Sequence, residues 1–331
     1  MKFKNYHQTD LSDKSFLVTG GAGFIGSNIV SYLLQHGAKK VRVLDNFATG
    51  SLKNIEEFRD NSSFELIEGD IRDLETCKKA VEGIEYISHQ AALGSVPRSI
   101  NDPITSNATN ITGFLNMLVA ARDEGIKHFV YAASSSTYGD HKALPKVEPE
   151  IGNPLSPYAV TKYVNELYAA VFSMTYDFHS IGFRYFNVFG PHQNPQGPYA
   201  AVIPIFIEHG LTNKSPFING DGETSRDFTF IANAVQANIK GMLTEVDKAE
   251  VINIAYGQRT TLLELWNRIA ELTDCDKDPV HRDFRKGDVK HSLADVTKAQ
   301  ENIGYNPDFS VMDGLKITVD WYRDNPGFFE E

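Results

Sequence analysis

Phe16-Leu17-Val18-Thr19-Gly20-Gly21-Ala22-Gly23-Phe24-Ile25-Gly26 is the stretch whose reading decides the fold. A short apolar run ends in Thr19, three glycines follow at spacing three, and an apolar-periodic stretch, Phe24 to Leu34, begins at once. This reads as strand, tight turn and helix. Gly20 permits the turn, Gly23 lets a pyrophosphate approach the backbone, and Gly26 lets helix and strand pack closely. The helix N-terminus then offers free N–H groups and a partial positive charge to phosphates. A glycine triplet alone is a weak pattern. Here Val41-Arg42-Val43-Leu44-Asp45 reads as a second strand, and Asp45 at its end lies where a ribose-binding acid is expected.

Outward from this turn, strand-like runs recur at Phe16–Thr19, Val41–Leu44, Phe64–Glu68, Tyr86–Ser88, His128–Ala133 and Ile181–Tyr185. Helical patterns lie between them, including 24–36, 74–82, 105–124 and 157–175; in the third, Ile111, Leu115, Leu118 and Val119 stand at helical spacing. That alternation predicts an α/β fold, a Rossmann-type doubly wound parallel sheet with helices on both faces. After residue 186 the pattern loosens, with Pro191, Pro195, Gly197, Pro198 and Pro204 close together. The expected organisation is a dinucleotide-binding domain over 1–186 and a smaller C-terminal α/β substrate domain over 187–331. Some segments of the second are expected to return to the first, and the two to share one cleft.

Composition bounds the function. The chain has 331 residues, 41% hydrophobic and 23% charged, an ordinary soluble composition. Its net charge of −11 argues against a nucleic-acid backbone as the main partner. A few Arg and Lys inside a cleft can still hold an anionic small ligand. Cys77 and Cys275 cannot build a disulfide framework and lack metal spacing, so they read as reduced thiols. The ten histidines show no ligand spacing such as His-Glu-x-x-His, and no metal is expected. Met1–Asp13 is polar and does not read as a signal peptide. No run approaches the roughly 18 apolar residues of a membrane span. These features point to a cytoplasmic protein without a membrane partner.

The chemistry centres on Ser156-Pro157-Tyr158-Ala159-Val160-Thr161-Lys162. Ser156 suits an N-cap and Pro157 the first helical position. Tyr158 and Lys162, four apart, share one helix face. Val160, Val164, Leu167 and Val171 mark an apolar stripe elsewhere on that helix. An ammonium beside a phenol favours the phenolate and is expected to lower its pKa from about 10 toward neutrality. Tyr158 is therefore a candidate base.

These residues carry a resemblance. The chain resembles an extended short-chain dehydrogenase/reductase, and within it the bacterial UDP-N-acetylhexosamine 4-epimerases, over roughly 15–320. The glycine triplet, Gly69-Asp70-Ile71-Arg72-Asp73 and the Tyr158/Lys162 pair are similar to the superfamily. The stretches Gln90–Ser99, Ala133–Gly139 and Arg184–Gly190 resemble its epimerase branch.

The resemblance implies a tightly held NAD and a reversible C4 epimerisation of a UDP-N-acetylhexosamine, UDP-GlcNAc to UDP-GalNAc, through a transient 4-keto sugar. Tyr158 would take the proton of the sugar 4-hydroxyl while hydride passes to the cofactor and later returns to the other face. Lys162 would hold the cofactor ribose, and Ser134 would relay the proton. For NAD, the resemblance implies Gly20, Gly23, Phe24, Ile25 and Gly26 at the pyrophosphate. It puts Asp45, Asn46, Thr49 and Gly50 at the adenosine ribose and Asp70 and Ile71 at adenine. Gln90, Ala91, Ala92, Asn110 and Tyr185 complete the inner path. Asp45, an anion where a 2′-phosphate would sit, predicts NAD over NADP. For the substrate, it implies Arg226 and Arg285 at the diphosphate, Asp288 at the uridine ribose, Asn187 at a phosphate or sugar oxygen, and Ser95, Ala201 and Val202 along the substrate path.

Ser292 aligns with a gate position at which serine leaves room for a 2-acetamido group. Gly94, Ser135, Ser136 and Gln193 would surround the acetyl. Two departures stand out. Ala232 replaces an aspartate of many relatives, which puts the contacts after Arg226–Ile231 in question. Gly94 replaces the lysine of galactose epimerases, which implies a different sugar pocket. Alternatives are the same chemistry on UDP-GlcNAcA or UDP-glucose, a UDP-sugar dehydratase or decarboxylase, and a non-catalytic NAD-sensing protein. The dehydratase or decarboxylase needs an extra Asp or Glu in the loop after the fifth strand, where Ser135-Ser136-Thr137 supplies none. The last would be expected to lose Tyr158 or Lys162. Relatives pair the helices at 105–124 and 157–175, so a homodimer is expected.

Overall fold

A computed structural model describes residues 1–196, 200–283 and 290–329. Its centre is a parallel sheet. The chain lays down β1 (Ser15–Thr19), α1 (Phe24–Gln35), β2 (Lys40–Asp45), β3 (Phe64–Glu68), α2 (Leu74–Val81) and β4 (Tyr86–His89). Next come α3 (Val96–Asn101), α4 (Pro103–Asn107), a wide π-helical turn (Ala108–Gly113), α5 (Phe114–Glu124) and β5 (His128–Ser134). Then α6 (Pro157–Tyr176), β6 (Ile181–Tyr185), β7 (Val188–Phe189), α7 (Val202–Leu211), β8 (Phe217–Asn219), β9 (Ser225–Asp227), β10 (Thr229–Phe230), α8 (Ile231–Met242), β11 (Glu250–Ile254) and β12 (Arg259–Thr261) follow.

Seven strands join in the order β11-β6-β5-β4-β1-β2-β3. All six strand runs expected from the sequence are present. The seventh, β11, comes from the second half of the chain and pairs with β6, Ile252 opposite Phe183. Only Val251, Ile252 and Ile254 mark it in the sequence, too short a pattern to stand out.

Period-two alternation divides the core into two layers. Phe16, Val18, Val41, Val43, Val130 and Phe183 pack with Ile29 and Leu33 of α1 and Ala234 and Val235 of α8. Leu17, Leu44, Ile87, Phe129 and Tyr131 point the other way, against Val81, Phe114, Leu118 and Phe172 of α2, α5 and α6. The order reverses between β1 and β4, so a crevice opens beyond their carboxyl ends.

The stretch expected as one helix over 105–124 is helical throughout, but it widens into a π turn at Ala108–Gly113. Pro103 starts a new helix after Asp102, whose side chain caps it, and residues 108–113 open into the π turn. That turn is held from three sides. The Asn110 side chain accepts from Leu93 N (2.7 Å) and donates to Leu93 O (3.0 Å) and Thr161 Oγ1 (3.1 Å), while its carbonyl accepts from Asn165 Nδ2 (2.7 Å). Two of those partners lie on α6. A buried ion pair of Glu166 with Arg184 (2.7 Å) fixes α6 to β6 as well.

Candidate active site

The crevice at the strand reversal is a cavity of about 600 Å³. At one end lies the glycine turn. Gly20 sits at φ +67°, and a Cβ there would lie 2.7 Å from Ala91 N, so β4 and the turn touch only because the side chain is absent. A Cβ on Gly26 would strike the carbonyl of Gly20. The helix therefore starts directly on the turn. No side chain caps α1, and Gly23, Phe24, Ile25 and Gly26 line the cavity, so the first-turn N–H groups are left for an anion.

Asp45 ends β2 at the same cavity. Its carboxylate accepts from Ala22 N (2.9 Å) and Phe47 N (2.8 Å). Burial raises its pKa while these N–H groups pull it back. An oriented carboxylate here fits a ribose diol and opposes a 2′-phosphate. Asn46, Thr49, Ile71, Gln90, Ala91, Ala92 and Tyr185 also line this half. Beneath it, Asn238 of α8 donates to Tyr185 Oη (2.7 Å) and accepts from Gln90 Nε2 (3.0 Å). That support was missed in the sequence, because Asn238 comes from the far half of the chain. The cradle, the open helix end and the carboxylate together fit a dinucleotide.

At the other end stand Tyr158, Lys162 and Ser134, brought together by the N-terminus of α6 and the end of β5. Ser156 caps α6 by accepting from Ala159 N (3.1 Å), with Pro157 next. Lys162 Nζ donates to Ala132 O (2.7 Å). Ser134 Oγ accepts from Ser136 N (3.1 Å) and Ser136 Oγ (2.8 Å) and is hydrogen-bonded to the Tyr158 phenol. The expected acidification of Tyr158 is not what the protein's own groups produce. Burial raises the phenol above its usual value, with the Ser134 bond acting the other way. Burial also lowers Lys162 to about 8. The low-dielectric setting disfavours both charged forms, and the ammonium is directed at Ala132 O. Nearby His89 is pushed down to about 3 by burial and is neutral.

Gly94, Ser95, Ser135, Asn187 and Gln193 line the cavity beyond Tyr158. Gln193 Nε2 donates to Val188 O (3.3 Å). Its Oε1 is buried without a partner among the described residues. Thr105 and Thr109, which the sequence does not single out, also line the cavity.

Other expected residues are not among the described lining. Asn110 serves through the π turn. Gly50 packs on the Ala22 peptide, 2.8 Å from where its Cβ would be. Asp70 is engaged by Arg72 Nη2 (2.6 Å) and Asn46 Nδ2 (2.8 Å), which hold its pKa down to about 2; Arg72, instead, lines the cavity. Ser136 acts through Ser134. Ala201 and Val202 begin α7. Arg226, on β9, donates to Ser225 O (3.0 Å) and Lys290 O (3.2 Å). Ser292 Oγ accepts from Asp227 N (3.4 Å). Arg285 and Asp288 lie outside the described residues.

Residues 16–255 match the NAD dependent epimerase/dehydratase family. A UDP-glucose 4-epimerase of Mycolicibacterium smegmatis is 34% identical over 93% of this chain and 98% of its own length. The solved UDP-N-acetylglucosamine 4-epimerase of Methanobrevibacter ruminantium M1, in complex with UDP-N-acetylmuramic acid, superposes with a TM-score of 0.90 at 38% identity, covering 95% of this chain and 99% of that one. The UDP-glucose 4-epimerase of Thermotoga maritima with UDP-glucose gives 0.88 at 38% identity, covering 94% and 99%. With a dinucleotide cradle and a Tyr-Lys-Ser cluster in one cavity, the chain belongs to the NAD-dependent epimerase/dehydratase family.

Proposed function

We propose that the protein is a UDP-sugar 4-epimerase whose substrate is a UDP-N-acetylhexosamine, interconverting UDP-GlcNAc and UDP-GalNAc. The observation that carries the reaction class is the set of groups around Tyr158. A phenol, a serine hydroxyl and an ammonium meet in the cavity that begins at the dinucleotide turn. Bound NAD supplies a hydride acceptor that can return what it takes. Tyr158 takes the 4-hydroxyl proton, Ser134 holds the same oxygen, and Lys162 binds the cofactor ribose and favours the phenolate. The loop after β5 offers hydroxyls alone at Ser135, Ser136 and Thr137. That stretch holds no carboxylate to drive elimination or loss of a carboxyl group, and the next one along the loop, Asp140, is engaged by Asn153 N (2.7 Å); this favours return of hydride over dehydration or decarboxylation.

The acetylated sugar is supported by the small Gly94 and by the partnerless Gln193 Oε1, which would accept the acetamido N–H. The relatives named for UDP-glucose keep that sugar as the second reading. Residues 1–186 would hold NAD and most of 187–331 the UDP-sugar, with Arg226, Arg285, Asp288, Asn187 and Ser292 contributing. The exposed stripe on α6 supports a homodimer.

The test is to incubate the purified protein, without added cofactor, with UDP-GlcNAc, UDP-GlcNAcA and UDP-glucose separately, resolving the C4 epimers. UDP-GalNAc should form fastest. Ser292→Tyr should abolish turnover of the acetylated sugars and spare UDP-glucose. Undiminished UDP-GlcNAc turnover in that variant would remove Ser292 from the gate.

A further inference from the structure

Asp227 is a carboxylate with no exposure to solvent, and no cation pairs with it among the described residues. Its oxygens are satisfied by main-chain N–H groups from two distant stretches. Oδ1 accepts from Tyr256 N (3.1 Å) and Gly257 N (3.1 Å); Oδ2 accepts from Gly257 N (3.2 Å) and Ala294 N (3.1 Å). Gly257, at φ +84°, turns the chain so that successive N–H groups face the carboxylate. Burial pushes its pKa up to about 7, with the N–H bonds pulling the other way. An unpaired buried charge is costly, so the position of this one calls for a use.

The peptide groups of Asp227 point to that use. Its N–H donates to Ser292 Oγ (3.4 Å), and its carbonyl accepts from Asn187 Nδ2 (3.1 Å). The preceding residue is Arg226. Beside β9, the chain at 290–292 runs parallel, with Ser225 N donating to Lys290 O (3.0 Å) and Ser292 N to Ser225 O (3.1 Å). The 256–257 turn follows directly from β11 of the main sheet.

We infer that Asp227 is the positioning residue of the substrate half, one buried anion that ties the stretches bearing Arg226, Asn187 and Ser292 to the edge of the cofactor sheet. This rests on the proposed reaction, since those three residues matter there as ligands of a UDP-sugar. It does not itself touch the sugar. The carboxylate accepts from three N–H groups on both its oxygens, with that of Gly257 shared between them, and an amide cannot. An asparagine turned either way sets its own NH2 against a main-chain donor.

The test compares the holoenzyme with Asp227→Asn in three readouts: NAD content, UDP affinity by calorimetry, and KM against kcat for the sugar turned over best. The inference predicts NAD content at the wild-type level, UDP bound about tenfold or more weakly, KM raised to match and kcat little changed, the size expected for one misplaced charge-assisted bond. A folded variant with UDP affinity equal to the wild type overturns it, as does equal loss of NAD and kcat, which marks a purely structural role. Hydrogen exchange on the wild-type chain decides the case if the variant does not fold. Saturating UDP should slow the amides of Tyr256, Gly257 and Ala294 together, and unchanged rates there overturn the inference. A wild-type chain that binds UDP yet epimerises no sugar refutes the proposed reaction, while the UDP comparison still decides the role of Asp227.

Discussion

Burial opposes the Tyr158 phenolate and raises the phenol above its usual value, with the Ser134 bond acting the other way. Catalysis at neutral pH therefore needs positive charge at this spot. Lys162, already lowered to about 8 by the same burial, keeps its proton when it gains a negative partner. Removing the phenolic oxygen removes the proton path without touching the glycine turn. Tyr158→Phe should keep its NAD and lose about 10²–10⁴ in turnover, measured by cofactor release on denaturation and by product formation. Lys162 gives a second prediction through linkage. Its folded pKa lies below the ordinary 10.5, so the unfolded chain binds more protons between about 8 and 10.5. The stability contribution of Lys162 is complete above that window and is lost as pH falls through about 8. In chain stripped of NAD, the wild type should gain stability with rising pH relative to Lys162→Met, by at most about 1.4 kcal/mol per pH unit. Denaturant titrations of both chains at pH 7.5 and pH 9.5 check the sign. At this scale the identities of Tyr158, Lys162, Ser134 and Asp45 were legible in the sequence, because each lies in a short local pattern. The direction of the Tyr158 shift was not legible. It depends on burial, which no spacing reports.

Helix α6 serves two tasks at once. One face carries Tyr158 and Lys162 into the cavity and is pinned by Asn165 and Glu166. The other carries Val160, Leu167, Val171 and Met174 to the surface, the last 79% exposed. Of the apolar stripe read from the sequence, Val160, Leu167 and Val171 are exposed and Val164 is half-buried, with Met174 added; a row of exposed apolar side chains marks an interaction face. A second copy covering it is the proposed occupant. Leu167→Glu should turn a dimer into a monomer in sedimentation, and a monomeric wild type would contradict the pairing. The π turn at 108–113 was not legible, since the periodicity of Ile111, Leu115 and Leu118 continues through it. What holds the π turn is a side chain, Asn110, bonded to Leu93 on another segment, while Pro103, capped by Asp102, starts the helix that leads into it.

Across the whole molecule, the parallel sheet was legible because each of β1 to β6 is a compact apolar run next to a helix. β11, and the return of α8 beneath the cofactor floor through Asn238, required the fold itself. The same holds for Asp227, whose partners lie 29 and 67 positions away. Those long-range ties hold Ser292 and Asn187 on the main chain of Asp227, next to Arg226. The central claim is a closed cycle in which the hydrogen taken from C4 returns to C4. The most direct measurement supplies UDP-GlcNAc deuterated at C4 to the purified holoenzyme without added cofactor and follows the product by NMR. The account predicts UDP-GalNAc that retains deuterium at C4. Product with solvent hydrogen at C4, or no C4 epimer from any UDP-sugar, would contradict it.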